Sequence, residues 1–84
     1  MECKICTPYF SENFHAKEIS IDTGEGVLKI YPLHTDSIFS IAPNSILRIL
    51  SDKGELKYKC NHGIIKIHSN KALIVVDTDE KNSM

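Results

Sequence analysis

No apolar run in this 84-residue sequence approaches the ~20 residues that a helix needs to cross a bilayer. No segment of useful length repeats its apolar residues at a helical period, which argues against a helical bundle. An excess of one charge is missing as well. Against 11 acidic residues stand 10 basic ones, a net charge of −1, with no basic stripe to displace phosphate counterions, so nucleic-acid binding is not expected. Cysteine is scarce and odd in number, 3 in all, which speaks against a disulfide framework. The opening Met1-Glu2-Cys3-Lys4-Ile5-Cys6 lacks the basic and long apolar regions of a signal peptide and the Arg- and Ser-rich stretch of a transit peptide. The expectation is a protein kept in the compartment where it is made. No Gly-rich phosphate loop opens a helix, and no Ser or Cys sits in a nucleophile-elbow context, so no catalytic residue and no cofactor are expected. A chain of this size buries roughly 60–65% of the surface its unfolded form exposes, leaving little room for a deep cleft.

What is present is a period of two. Runs rich in Ile, Val and Tyr recur between turn signals, the pattern of a sandwich or barrel. Lys4 to Cys6 reads as a first strand closed by Thr7-Pro8. Phe10 and Phe14, four apart, suit at most one helical turn. Lys17 to Asp22 alternates, and Thr23-Gly24-Glu25-Gly26 turns the chain into Val27 to Tyr31. Ser37 to Ile41 follows, then the Pro43-Asn44 turn. Ile46 to Leu50 and Leu56 to Cys60 form a hairpin in which Leu56, Tyr58 and Cys60 face inward. Ile64 to His68 comes next, and Ala72 to Val76 is a continuous apolar run suited to a strand covered on both sides. The expected fold is all-β: a flattened two-sheet sandwich of about eight to ten short strands over residues 1–78, with a polar tail over 79–84.

Titratable groups offer little chemistry. Cys3-x-x-Cys6 with Cys60-x-His62 resembles a zinc ligand set on paper, but an odd offset along one strand points Cys3 and Cys6 to opposite faces. Strand cysteines without metal are the expectation. Asp77-x-Asp79-Glu80 suggests a hard cation, yet a solvated tail explains it more simply. His15, His34, His62 and His68 have no nucleophile to serve.

Three segments, read together, carry a family resemblance. They are Gly24-Glu25-Gly26-Val27-Leu28-Lys29-Ile30-Tyr31-Pro32-Leu33-His34, Ile41-Ala42-Pro43-Asn44-Ser45-Ile46-Leu47-Arg48-Ile49, and Gly63-Ile64-Ile65-Lys66-Ile67 followed by Ala72-Leu73-Ile74-Val75-Val76-Asp77. In that order and spacing they resemble the N-terminal domain of the ε subunit of F-type ATP synthases. Departures are Asn44 for a family Gly, His62 for the first Gly of a Gly-Gly pair, Val27 for a second acidic residue, and His34-Thr35-Asp36 for His-Ala-Pro. The last variant is more similar to ε subunits of the alternative, sodium-type F-ATPases.

The resemblance implies a non-catalytic rotor subunit joining the γ subunit to the membrane c-ring. It implies no nucleotide site, no C-terminal helical hairpin if the chain is a short form, and membrane contact only through the complex. The implied place is the cytoplasmic face of the bacterial inner membrane. Its ring-facing loop would combine the Gly24–Val27 turn with the Tyr31–Asp36 segment, with Glu25, Val27, Tyr31, Leu33, His34 and Asp36 as the γ- and c-ring-facing residues. On residue types alone these positions read as a solvated loop. A stand-alone β-sandwich adaptor, or a small zinc-binding module, remains the rival reading.

Overall fold

In the computed structural model, residues 1–78 are described; the tail expected over 79–84, with Asp79 and Glu80 of the acidic set, lies outside the described residues. Eight strands follow one another: β1 Glu2–Cys6, β2 Ser11–Asp22, β3 Val27–Ile30, β4 Ser37–Ile41, β5 Ser45–Ser51, β6 Gly54–Cys60, β7 Gly63–His68 and β8 Lys71–Val76. The all-β sandwich read from the sequence is what the chain adopts.

The longest strand organises the rest. Along β2 the side chains of Glu12, Phe14 and Ala16 turn inward at even positions, whereas Ile19 and Ile21 turn inward at odd ones. The parity switches because Ala16 pairs with Ser51 and Glu18 with Leu50, so Lys17 is an extra residue with no partner across the ladder. Such a bulge bends the strand and moves every later side chain to the other face. The first half of β2 therefore closes one sheet, in the order β4-β7-β8-β1-β2, and the second half enters another, β3-β2-β5-β6. All pairings are antiparallel except that of β1 with β8, where Cys3 lies opposite Ala72 and Ile5 opposite Ile74.

The two inner faces meet over an isoleucine-rich core. Ile5, Ile19, Ile30, Leu47, Ile49, Ile65 and Ile74 are wholly buried, each stabilising by about 1.5–3 kcal/mol relative to exposure. Leu56, Tyr58 and Cys60 face this core as their alternation requires. Two expectations are corrected. Phe14 belongs to β2, opposite Cys3, and not to a helical turn; polar residues at 11, 13 and 15 had hidden the strand's inward face. The β8 run is covered on one side only: Ala72, Ile74 and Val76 are buried while Leu73 and Val75 point outward, 38% and 41% exposed.

Close approach occurs at Gly63 and not at His62, which is exposed. A Cβ on Gly63 would lie 2.5 Å from the Val75 carbonyl oxygen and 2.8 Å from Val76 Cγ1. Backbone cannot yield that distance cheaply, so Gly63→Ala should lower the unfolding free energy by about 1–3 kcal/mol in denaturant titration. The opposite sign is expected at Tyr58. Its hydroxyl is buried with no hydrogen-bond partner among the described residues, and burial pushes the phenol up to about 12. Because an unsatisfied buried hydroxyl costs more than it returns, Tyr58→Phe should be neutral or stabilise by about 1 kcal/mol, read from the same titration.

Candidate functional site

The residues expected at one loop occupy two ends of a strand. Asp22 pairs with Val27 and Ile19 with Ile30, so the 23–26 turn enters β3 at one end and Tyr31 leaves it at the other, about 10 Å away for four residues. Glu25 and Val27 are exposed at the first end. There Asp22 Oδ1 accepts from the Gly24 amide at 2.9 Å, and the Thr23 amide donates to the Gly26 carbonyl at 3.0 Å. Gly24 adopts φ +84°, which a side chain would oppose. The two segments are thus separate protrusions, because an antiparallel strand carries its entry and its exit at opposite ends.

At the second end the loop is tied to a distant turn. The Leu33 amide donates to Asn70 Oδ1 at 2.7 Å, and the Ser69 amide donates to Asp36 Oδ1 at 3.0 Å. His68 Nδ1 lies 3.0 Å from Asp36 Oδ2, and an ionised carboxylate there takes its hydrogen bond from a protonated Nδ1. His34 turns back as well: its Nδ1 donates to the Thr35 carbonyl at 2.7 Å, and its ring meets Phe39 edge-on with centroids 5.8 Å apart. Tyr31 donates its hydroxyl to the Glu18 carboxylate, which holds the phenol above its ordinary range. Leu33 is free of such ties in its side chain and is 84% exposed. Of the residues expected to reach outward, Glu25, Val27 and Leu33 do so most openly, while His34 and Asp36 engage their own chain.

The sequence reading missed His68, Ser69 and Asn70. Their turn has positive φ at both Ser69 and Asn70, +49° and +60°, the geometry of a two-residue hairpin. Asn70 in such a turn was a visible signal; its contact with a residue 37 positions away was not.

A second candidate surface is the outer face of the β4-β7-β8-β1 sheet. Ile64 stands directly opposite Val75, and Leu73 lies diagonal to Ile64 across the Lys66–Leu73 pair. Ile38, opposite Lys66 on β4, extends the apolar strip. Lys66 stands between Ile38 and Leu73 in the same row, and Lys4 borders it beyond Leu73. The outer face of the other sheet carries Glu18, Asp22, Lys29, Arg48 and Glu55, with Val27 and Leu50, 55% and 41% exposed, among them. Contiguous exposed apolar side chains on one face mark a surface that another protein covers.

The cysteine–histidine set is dispersed by the pleat. Cys3 and Cys60 lie in the core, where burial pushes their thiols up to about 12 and about 11; metal binding needs thiolates. Cys6 faces the other side of β1, and among the described residues no group of three or more His, Cys, Asp and Glu is placed to hold a metal. His62 joins Asp77, which accepts from the Asn61 amide at 3.1 Å and lies 3.4 Å from His62 Nδ1. The backbone hydrogen bonds from Asn61 and His62 hold the Asp77 carboxyl below its usual range. A carboxyl lowered by folding stabilises at pH values above its unfolded pKa, and the contribution disappears as pH falls through the folded one. Asp77→Asn should therefore lower the thermal midpoint near neutral pH, and the difference should vanish as pH falls through the folded carboxyl's range, as differential scanning calorimetry across pH would record.

Residues 1–82 match the model of the family described as ATP synthase, Delta/Epsilon chain, beta-sandwich domain. Among curated proteins none matches the sequence. A chain in the cryo-EM structure of the Tetrahymena thermophila mitochondrial ATP synthase, central stalk and c-ring, superposes with a TM-score of 0.71 at 25% identity, covering 92% of this chain and 63% of that one. A chain in the Euglena gracilis mitochondrial ATP synthase, described as OSCP/F1/c-ring in rotational state 1, gives a TM-score of 0.71 at 19% identity, covering 88% and 48%. The chain thus spans less than two thirds of the length of either neighbour.

Proposed function

From its membership of the ATP synthase delta/epsilon family of β-sandwich domains, we infer that this chain is a non-catalytic rotor subunit of an F-type ATP synthase, joining the γ subunit to the c-ring. The observation that carries the reading beyond family membership is the asymmetry of the two outer faces. One carries a cluster of exposed apolar side chains, Ile38, Ile64, Leu73 and Val75; the other carries Val27 and Leu50 among five charged residues, Glu18, Asp22, Lys29, Arg48 and Glu55. The apolar strip of Ile38, Ile64, Leu73 and Val75 is the γ-facing surface in this reading, and the exposed ends around Glu25 and Leu33 face the ring. A neighbour of similar fold comes from a structure of a central stalk and c-ring, which supports the same placement. Contact with the membrane is then through the complex, at the cytoplasmic face of a bacterial inner membrane.

The fold suits the task physically. Torque passed between two partners shears whatever lies between them. A sandwich in which each interior strand is bonded on both sides, with a close-packed core, resists that shear better than a lone helix.

Co-expression of the tagged chain with its genomic neighbours, followed by mass spectrometry of what co-purifies, tests the assignment. Recovery of γ and ring subunits is expected. The double variant Leu73→Glu/Val75→Glu should cut γ recovery by at least about tenfold while leaving the circular dichroism spectrum native, since two charges would be buried against the partner. Undiminished recovery would remove γ from this face. Capture of unrelated proteins by the same face would support the stand-alone adaptor instead.

A further inference from the structure

Asp36 sits in the loop that a rotor subunit would present to a partner, and although its side chain is 60% exposed, both carboxylate oxygens bond to a turn of its own chain. One oxygen accepts the Ser69 amide and the other meets His68. The Leu33 amide, three residues earlier, is held by Asn70 of the same turn. Leu33 itself adopts φ +66°, a conformation natural to glycine and unfavourable for a residue with a side chain. Three hydrogen bonds across the molecule thus hold a strained backbone whose product is a large apolar side chain standing in solvent, 84% exposed.

We propose that Asp36 is a positioning residue: together with the His68–Asn70 turn it clamps the Tyr31–Asp36 loop and presents Leu33 as the apolar anchor of the contact, without touching the partner itself. The partner is the c-ring, which this end of the chain faces in the rotor reading. Preorganisation of this kind lowers the ordering cost of association, because the loop is fixed before the partner arrives. The binding half of the proposal rests on the rotor reading above; the clamp half does not.

Two measurements separate them. In the free chain, amide hydrogen exchange at Leu33 and Ser69 should be protected. Asp36→Ala or Asn70→Ala should raise exchange at Leu33 at least about tenfold with the global thermal midpoint unchanged, and Asp36→Asn, which keeps an acceptor for Ser69, should restore part of the protection. Unprotected amides in the native chain, or amides indifferent to both variants, would overturn the clamp whatever the protein's role. In the co-purified complex, Asp36→Ala should weaken capture by about tenfold when Leu33 is present and by little in a Leu33→Ala background, the non-additivity of residues that act through one another. Additive losses would put the Asp36 carboxylate on the partner and overturn its positioning role. A clamp seen by exchange together with full capture by Leu33→Ala would overturn Leu33 as the anchor, leaving the rotor assignment to stand on the γ-facing strip.

Discussion

The unpaired residue at Lys17 is the constraint on which the architecture rests. Without it, β2 would keep one parity along its 12 residues, and either Phe14 and Ala16 or Ile19 and Ile21 would face water. With it, one strand supplies apolar side chains to two sheets and bends from the first into the second. The core then closes with the six-residue segment 31–36 and two short links, 42–44 and 61–62, to carry the chain from sheet to sheet. Those links are themselves held together: the Asn44 amide donates to Asn61 Oδ1 and the Asn61 amide to Asp77, so the corner is braced by side chains where backbone pairing ends.

The consequence for function is a body with three distinct outer regions. The β4-β7-β8-β1 sheet shows an apolar strip interrupted by Lys66, and the other sheet shows charges interleaved with Val27 and Leu50. The ends of β3 carry two protrusions of different character. The 23–26 turn is closed by its own short polar contacts, while the 31–36 segment is anchored to the β7–β8 turn. A rotor subunit needs at least two partner surfaces whose relative positions do not change under load, and a sandwich with its loops tied to its strands supplies them.

Much of this was legible in residue order. Strict alternation in Leu56 to Cys60 told which side chains enter the core, and the pair Cys3 and Cys6 was already split between faces by its odd spacing. Asn44 takes the positive φ, +59°, that a turn after Pro43 demands. Other readings failed for identifiable reasons. The inward face of early β2 was masked by polar residues at 11, 13 and 15, because half-buried Phe14 and Glu12 make a weak period. The run Ala72 to Val76 carried no clue that one face lacks a covering layer among the described residues, since its outward Leu73 and Val75 are as apolar as its inward side chains.

The sequence by itself determined the strands, the inward residues and the family, because these follow from a local period, turn chemistry and the order of segments along the chain. Tertiary structure alone decided three things. It separated Glu25 from Leu33 by the length of β3, it bonded the Asp36 carboxylate to the turn at 68–69, and it exposed Leu73 and Val75. Each depends on which strands become neighbours, and partners 32 to 37 residues apart are chosen by packing of the whole core, not by any property of the segment that contains them.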